Sequence, residues 1–412
     1  MGFFDRFKTK DNKPKNDLTG DKPKVQQVHP ITCPFCGAYF QPNQVLFAFS
    51  RGEVERENED LSPAQKKERV YFSIFDDSCD VHYACGMPMK MTHKASRAVS
   101  VMRVCPNKTC HQVLSPNAGL YEMGKGIFFL GLRNSGKTVM LSTIINTLKN
   151  VAHFYGAKFN HYNAGVGQKY EELYYGPLYR NHMLPKATAR GKSDLLVYEW
   201  ISKQYSTTIA FYDIAGEDAE DENTLIEQAG TQISNAQSYV LLVDPYEIGY
   251  ISNIKQKKAA SYKETVDIFN NIIDHVVLPD ERRKKYLSIV LTKSDELVGL
   301  TGEPLFRRDT EAFSKIYENM NHAAGRFPVR ERANLGNDIS NFFKDKAPNI
   351  VSNADLTFDK QNIGYFIVSA LGMAPVEDTE NGYSIPNDPM PIRVEEPVLW
   401  LLYKMGYIDG EI

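Results

Sequence analysis

The stretch Gly131-Leu132-Arg133-Asn134-Ser135-Gly136-Lys137-Thr138 has the residue types, at the spacing, that hold a chain of phosphates. Its glycines let consecutive backbone N–H groups close around an anion at a helix N-terminus, where the helix dipole also favours negative charge. Gly131, Asn134, Ser135 and Gly136 form this cradle, Lys137 reaches the β- and γ-phosphates, and the Thr138 hydroxyl ligates Mg²⁺. A glycine-rich turn before an ordinary helix is the plainer alternative, and the flanks decide against it. Gly126-Ile127-Phe128-Phe129-Leu130 is the short apolar run of a buried parallel strand. Downstream, Val139, Leu141, Ile144, Ile145, Leu148 and Val151 fall on one helical stripe.

Two further strand ends carry chemistry of the same kind. Thr207–Phe211 runs into Tyr212-Asp213-Ile214-Ala215-Gly216-Glu217. An aspartate there holds Mg²⁺ through water, and the Gly216 amide can report the γ-phosphate. Leu287–Leu291 leads into Thr292-Lys293-Ser294-Asp295. The Asp295 carboxylate can accept from guanine N1–H and the 2-amino group while the Lys293 stem packs on the base; adenine has no equivalent donor pair. Tyr365–Val368 precedes Ser369-Ala370-Leu371-Gly372, whose backbone is placed to meet the guanine O6.

In this order the motifs resemble the translation-factor-related (TRAFAC) class of P-loop GTPases, over roughly residues 120–405. The resemblance implies an α/β, Ras-like domain: a mostly parallel sheet with one antiparallel strand and helices on both faces. It implies GTP and GDP with Mg²⁺ as ligands, and a switch-I threonine that completes the metal site. Thr188 in Leu184-Pro185-Lys186-Ala187-Thr188 is the leading candidate, with Thr207 and Thr208 as alternatives. Three positions depart from the commonest pattern. Thr292 replaces an Asn, Leu371 replaces a Lys, and Glu217 stands where Ras-like members carry a water-orienting Gln. An ionised carboxylate accepts a hydrogen bond from water but cannot donate one to the γ-phosphate. Catalysis would then fall to Lys137, Thr188 and Glu217, slowly unless a partner or dimerisation assists. Arg133 and Arg190 are candidates for stabilising charge in cis.

The six cysteines all lie before residue 111. Cys33-Pro34-Phe35-Cys36 and Cys105-Pro106-Asn107-Lys108-Thr109-Cys110 are two short knuckles that together offer four thiolates to tetrahedral Zn²⁺. A redox dithiol at Cys33 and Cys36 is the alternative, but no thioredoxin-like βαβ pattern surrounds it. Between the knuckles, Cys79, His82 and Cys85 have metal-like spacing, so a second site, completed by His93 or His111, is open. The Cys-Pro knuckles resemble zinc ribbons. A zinc ribbon ahead of a G domain resembles the double-GTPase group of TRAFAC-clade proteins, which is associated with bacterial conflict and defence systems.

These side chains need a scaffold of several parts. Residues 1–30 read as a polar tail in which Phe3, Phe4 and Phe7 alternate with Arg6, Lys8 and Lys10, a weak signal for a membrane surface or a partner groove. Myristoylation is excluded because Arg6 stands where Ser or Thr is needed. Residues 31–118 read as a small β-rich, zinc-ribbon-like module. Residues 119–412 read as the nucleotide domain, with an antiparallel hairpin of Leu195–Trp200 and Thr207–Phe211 ahead of Asp213 and helical insertions at about 251–280 and 296–362. In 412 residues, 42% hydrophobic and 24% charged content is ordinary for globular chains, and a net charge of −3 gives no nucleic-acid signal. No apolar run is long enough to cross a bilayer and no signal-peptide pattern opens the chain, so a cytoplasmic setting is expected. The expected function is a GTP-hydrolysing switch or assembly protein, whose partner, or second copy, meets the insertions or the zinc module. A P-loop ATPase and a non-hydrolysing GTP-binding adaptor are the rivals.

Overall fold

Short apolar runs become the strands of one central sheet. In chain order they are β1 (Glu122–Gly131), β2 (Lys158–His161), β3 (Ser193–Ile201), β4 (Tyr205–Ile214), β5 (Ser238–Val243), β6 (Tyr286–Leu291) and β7 (Ile363–Ile367). The computed structural model describes residues 28–131, 135–186, 188, 193–203, 205–214, 221–245, 262–299, 303–378 and 382–411. Across the sheet the order is β2-β3-β4-β1-β5-β6-β7. β4, β1, β5, β6 and β7 pair in parallel, and β3 is antiparallel to both of its neighbours. The expected hairpin ahead of Asp213 is the β3–β4 pair, closed where the Ser202 amide donates to the Tyr205 carbonyl at 2.9 Å.

Alternation along each strand feeds two separate apolar layers. Ile127, Phe129, Val240, Leu242, Val290 and Phe366 face one side, while Phe128, Leu130, Tyr239, Leu241, Ile289 and Tyr365 face the other. With both faces buried, the central strands carry few polar positions, which is why they read as nearly continuous apolar runs. Helices α1 (Lys137–Val151), α2 (Glu222–Asn235), α3 (Tyr262–Val276), α4 (Val329–Lys346), α5 (Pro348–Thr357) and α6 (Glu396–Lys404) cover them. α1 and α6 lie on the first face and α2 to α5 on the second. α6 opens with Pro397 in its first turn and packs on β6 and β7.

The two stretches expected as insertions are structured differently. The described part of 251–280 is α3, the crossover that parallel pairing of β5 with β6 requires, and it buries Phe269, Ile272 and Ile273 in the core. The 296–362 stretch, mostly polar in composition, forms the β6-to-β7 crossover. Its helices bury Leu335, Ile339, Phe342, Phe343, Ile350 and Val351 along their inner stripes.

Residues 31–120 form three small antiparallel sheets: Ile31–Thr32 with Tyr39–Phe40, Leu46–Ser50 between Arg69–Ser73 and Arg103–Val104, and Cys79–Ala84 with Met87–His93 and Val99–Ser100. Ile31, Phe40, Phe47, Phe49, Met87 and Met91 make their own apolar cluster. The charged Arg51–Arg69 stretch holds two short helices, the half-buried Arg51–Val54 and the exposed Pro63–Lys67. The tail segment with Phe3, Phe4 and Phe7 lies outside the described residues. Among the described residues no helix is long and apolar enough to cross a membrane.

This part is joined to the sheet through a buried polar seam. The Glu199 carboxylate on β3 accepts from Ser115 Oγ at 2.6 Å and Asn117 Nδ2 at 3.3 Å, and Asn163 Nδ2 donates to the Val113 carbonyl at 2.8 Å. The buried Arg103 guanidinium donates to the carbonyls of Ser115, Pro116 and Ala118. Burial raises the Glu199 carboxyl above its ordinary range, against the lowering effect of Ser115, Asn117 and Arg103. A raised folded-state pKa means that the stabilising, protonated form is complete below the unfolded value and is lost as pH rises through the folded one. Glu199→Gln should therefore raise the melting temperature at pH 7.5, and the gain should vanish near pH 4, read by thermal unfolding at both.

Candidate functional site

The carboxyl ends of β1, β4, β5, β6 and β7 open at one edge of the sheet. β1 lies between β4 and β5 although neither follows it directly in the chain, and α/β sheets bind ligands at such switch points. Gly131 closes β1; Asn134, with Leu132 and Arg133, lies outside the described residues. The chain resumes at the buried Ser135, and Gly136 precedes α1 with φ +74°, a conformation that suits glycine. Lys137 is the first helical residue. Its Nζ lies 3.3 Å from the Gly131 carbonyl and 3.7 Å from Asp213 Oδ1. Burial lowers the Lys137 pKa, and Asp213 opposes that shift.

Asp213 gathers the expected metal-site residues. Thr138 Oγ1 lies 3.2 Å from both carboxylate oxygens, and Thr188 Oγ1 donates to Oδ2 at 2.8 Å. Thr207 and Thr208 are buried within β4, so among the three threonines Thr188 is the one that meets Asp213. A further donor is absent from the sequence reading: Tyr174 Oη reaches Oδ2 at 3.0 Å. Burial, and then the neighbouring carboxylates Asp213 and Asp194, hold the Tyr174 phenol well above the usual range, so it stays a donor. Gly216 and Glu217 lie outside the described residues, as does Arg190.

Across the crevice, the ends of β6 and β7 are tied together. The Thr292 hydroxyl donates to the Ser135 carbonyl at 2.9 Å and the Val243 carbonyl at 3.2 Å, so it binds loop to loop. Lys293 adopts φ +52° and pairs with Asp244 Oδ2 at 2.8 Å, a pairing that local spacing does not encode. Ser369 Oγ donates to Asp295 Oδ1 and in turn accepts from the Gly372 amide at 2.8 Å, aiming a half-buried carboxylate. Burial raises the Asp295 pKa, with Ser369 acting against it. Ala370 packs beside the core, while Leu371 turns into an apolar cluster with Leu178 and Ile385 and its carbonyl accepts from the Met390 amide.

The metal-like cysteines form one cluster at the other side of the molecule. The Sγ atoms of Cys33, Cys36, Cys105 and Cys110 all lie within 4.8 Å of one another. Cys33 and Cys110 are 3.8 Å apart, and Cys36 and Cys105 3.7 Å. Four thiolates around Zn²⁺ at Zn–S distances of about 2.3 Å stand about 3.8 Å apart, so the donor set fits a tetrahedral metal. Hydrogen bonding to Cys105 and Cys110, with burial, keeps the Cys33 thiol high; Cys110, bonded to Cys33, is drawn down to about 5. Cys79, His82 and Cys85 do not join in a second cluster among the described residues. Cys79 and His82 are three apart on one strand and so point to opposite faces, and Cys85 sits in the turn at φ +52°. His93 bonds to Ser96, and His111 to the Cys105 carbonyl.

The first knuckle rests on α2. Gln232 Nε2 donates to the Phe35 carbonyl at 2.6 Å, and Phe35 meets Tyr162 edge-on at 5.7 Å between ring centroids. Gly37, at φ +71°, lies so close to Thr231 that an added Cβ would stand 2.2 Å from its Cγ2. Among known proteins, no family model matches this chain and no curated sequence matches it significantly.

Proposed function

We propose that this chain binds and hydrolyses GTP with Mg²⁺ and works as a switch or assembly protein, using a zinc-held N-terminal module for partner contact. The observation that carries this reading is the convergence of Lys137, Thr138, Thr188 and Asp213 at the ends of β1 and β4, with the Asp295–Ser369 pair at the ends of β6 and β7. A mostly parallel sheet with one antiparallel strand and helices on both faces agrees with the Ras-like domain that the TRAFAC resemblance implies. The four-cysteine cluster agrees with a zinc ribbon ahead of it, and through that resemblance the reading extends to a bacterial conflict system.

Each side chain then has a task. Lys137 and the loop amides hold the β- and γ-phosphates. Thr138, Thr188 and Asp213 are the residues to hold Mg²⁺, which when bound neutralises phosphate charge. Asp295, aimed by Ser369, accepts from guanine N1–H and the 2-amino group. Water attacks the γ-phosphorus, the bond to the β–γ bridging oxygen breaks, and GDP and phosphate leave. Glu217 is the residue proposed to orient that water; being unable to donate while ionised, it makes turnover slow.

Competition among GTP, ATP and XTP tests the base assignment. Wild-type protein should prefer GTP. Asp295→Asn should cut its preference for GTP over XTP by about 30- to 1,000-fold, since a neutral amide turns an N–H₂ toward the guanine donors. ATP turnover undiminished by excess GTP would establish the ATPase instead, and bound GTP that never decays in a single turnover the adaptor.

A further inference from the structure

We propose that Tyr174 is a positioning residue for Asp213, fixing carboxylate oxygen Oδ2 so that the group stays in its metal-holding orientation when Thr188 leaves it. The inference rests on the reading of this crevice as a nucleotide and Mg²⁺ site.

Among the described residues, four side chains approach the Asp213 carboxylate: Lys137, Thr138, Thr188 and Tyr174. Three of them have another task once nucleotide arrives, Lys137 at the phosphates and the two threonines at the metal. Tyr174 has none. It comes from Glu171–Arg180, a wide π-helical segment that continues the helix Ala164–Tyr170 and leads toward Thr188. Such departures from α-helical geometry recur at functional sites. Its side chain is 2% exposed, and its ring stacks on Tyr170 at 6.3 Å between centroids. Tyr170 is itself anchored by a hydroxyl bond to the Ser142 carbonyl of α1 at 2.8 Å. The phenol is thus held from behind and aimed at one oxygen.

That oxygen is shared. Oδ2 accepts from Thr188 at 2.8 Å and from Tyr174 at 3.0 Å, its two shorter contacts, with Thr138 Oγ1 3.2 Å from both carboxylate oxygens. When both threonines turn to the metal, Tyr174 is the hydroxyl left to keep the buried oxygen satisfied. Without Tyr174, Oδ2 would compete with the metal for the Thr188 hydroxyl, or the carboxylate would rotate to find another donor. Tyr174 therefore sets how readily the threonine is released, and the quantity it controls is the Mg²⁺ concentration at which nucleotide becomes locked in.

The test is release of a fluorescent GDP from the full chain across a Mg²⁺ titration, with excess EDTA as the metal-free limit. In wild-type protein Mg²⁺ should slow release. Tyr174→Phe keeps the stacked ring and removes only the donor. It should move the Mg²⁺ midpoint upward by about 10- to 100-fold, the range for a lost hydrogen bond to a charged group, and leave release in EDTA within about twofold. Tyr170→Phe keeps the stacked ring and removes only its anchor at Ser142, so it should move the midpoint by no more than about threefold. A wild-type midpoint in Tyr174→Phe overturns the inference. So does an equal shift in Tyr170→Phe, a change in EDTA as large as that in Mg²⁺, or failure of Tyr174→Phe to fold, each of which would make the hydroxyl structural. Wild-type protein that shows no Mg²⁺-dependent retention overturns the nucleotide reading itself, and the inference with it.

Discussion

Lys137→Ala should lose GTP affinity by about 30- to 4,000-fold, the range for truncating one partner of a buried, hydrogen-bonded charge contact. The side chain is 6% exposed, and its ammonium lies 3.7 Å from Asp213 Oδ1. Burial lowers its pKa even with that carboxylate beside it. The negative charge of a triphosphate would offset the cost of burying this cation. Removal of the side chain should cost the fold little. Asp213 keeps its hydroxyl donors Thr138, Tyr174 and Thr188, and the costly burial of an ammonium is relieved. Melting temperature without nucleotide should stay near that of the wild type while equilibrium binding collapses. A folded Lys137→Ala protein that binds GTP as tightly as wild type would remove Lys137 from the phosphate site.

The sequence makes the site's contributors legible where they come from consecutive residues. Gly131–Thr138, Asp213 and Thr292–Asp295 each sit where an apolar run stops, because a strand buried on both faces is mostly apolar until it emerges at the sheet edge. Tyr174 has no such mark, and Asp244, though it follows the apolar run of β5, carries no sign of its partner. Tyr174 meets Asp213 across 39 positions and Asp244 meets Lys293 across 49, and nothing in local spacing encodes contacts made by the folding of the sheet. The same limit works in reverse for Cys79, His82 and Cys85. Their spacing suits a knuckle, but a strand has period two and parts them. The 296–362 stretch reads as polar because its helices bury one stripe and solvate the rest, so composition hides the periodicity that α4 and α5 use.

Zinc should copurify at about one ion per chain, and Cys33→Ser with Cys36→Ser should abolish it. Two sulfur pairs stand 3.7 and 3.8 Å apart and all four sulfurs lie within 4.8 Å, which suits a tetrahedral tetrathiolate, and Cys33 and Cys105 are fully buried among Ile31, Phe40 and Phe47. Folding energy of the region should therefore depend on the metal: its sheets have two or three short strands each, too little core to hold without a cross-link. In the double variant, residues 31–118 should become sensitive to protease. The effect should reach the nucleotide site only weakly. The first knuckle touches α2 in the region of Thr231, Gln232 and Asn235, close to its C-terminal end, while Asp213 precedes the opposite end of that helix. The apolar layers of the central sheet are separate from the cysteine cluster's core. GTP affinity should accordingly change by less than about tenfold, with the loss confined to the Phe35 and Gly37 contacts on α2. Elemental analysis of protein purified without chelator decides the first part: no zinc removes the site, and two ions per chain would require ligands beyond these four cysteines. Limited proteolysis beside a GTP titration decides the second, because collapse of both regions together would show that the cysteine module and the sheet fold as one unit.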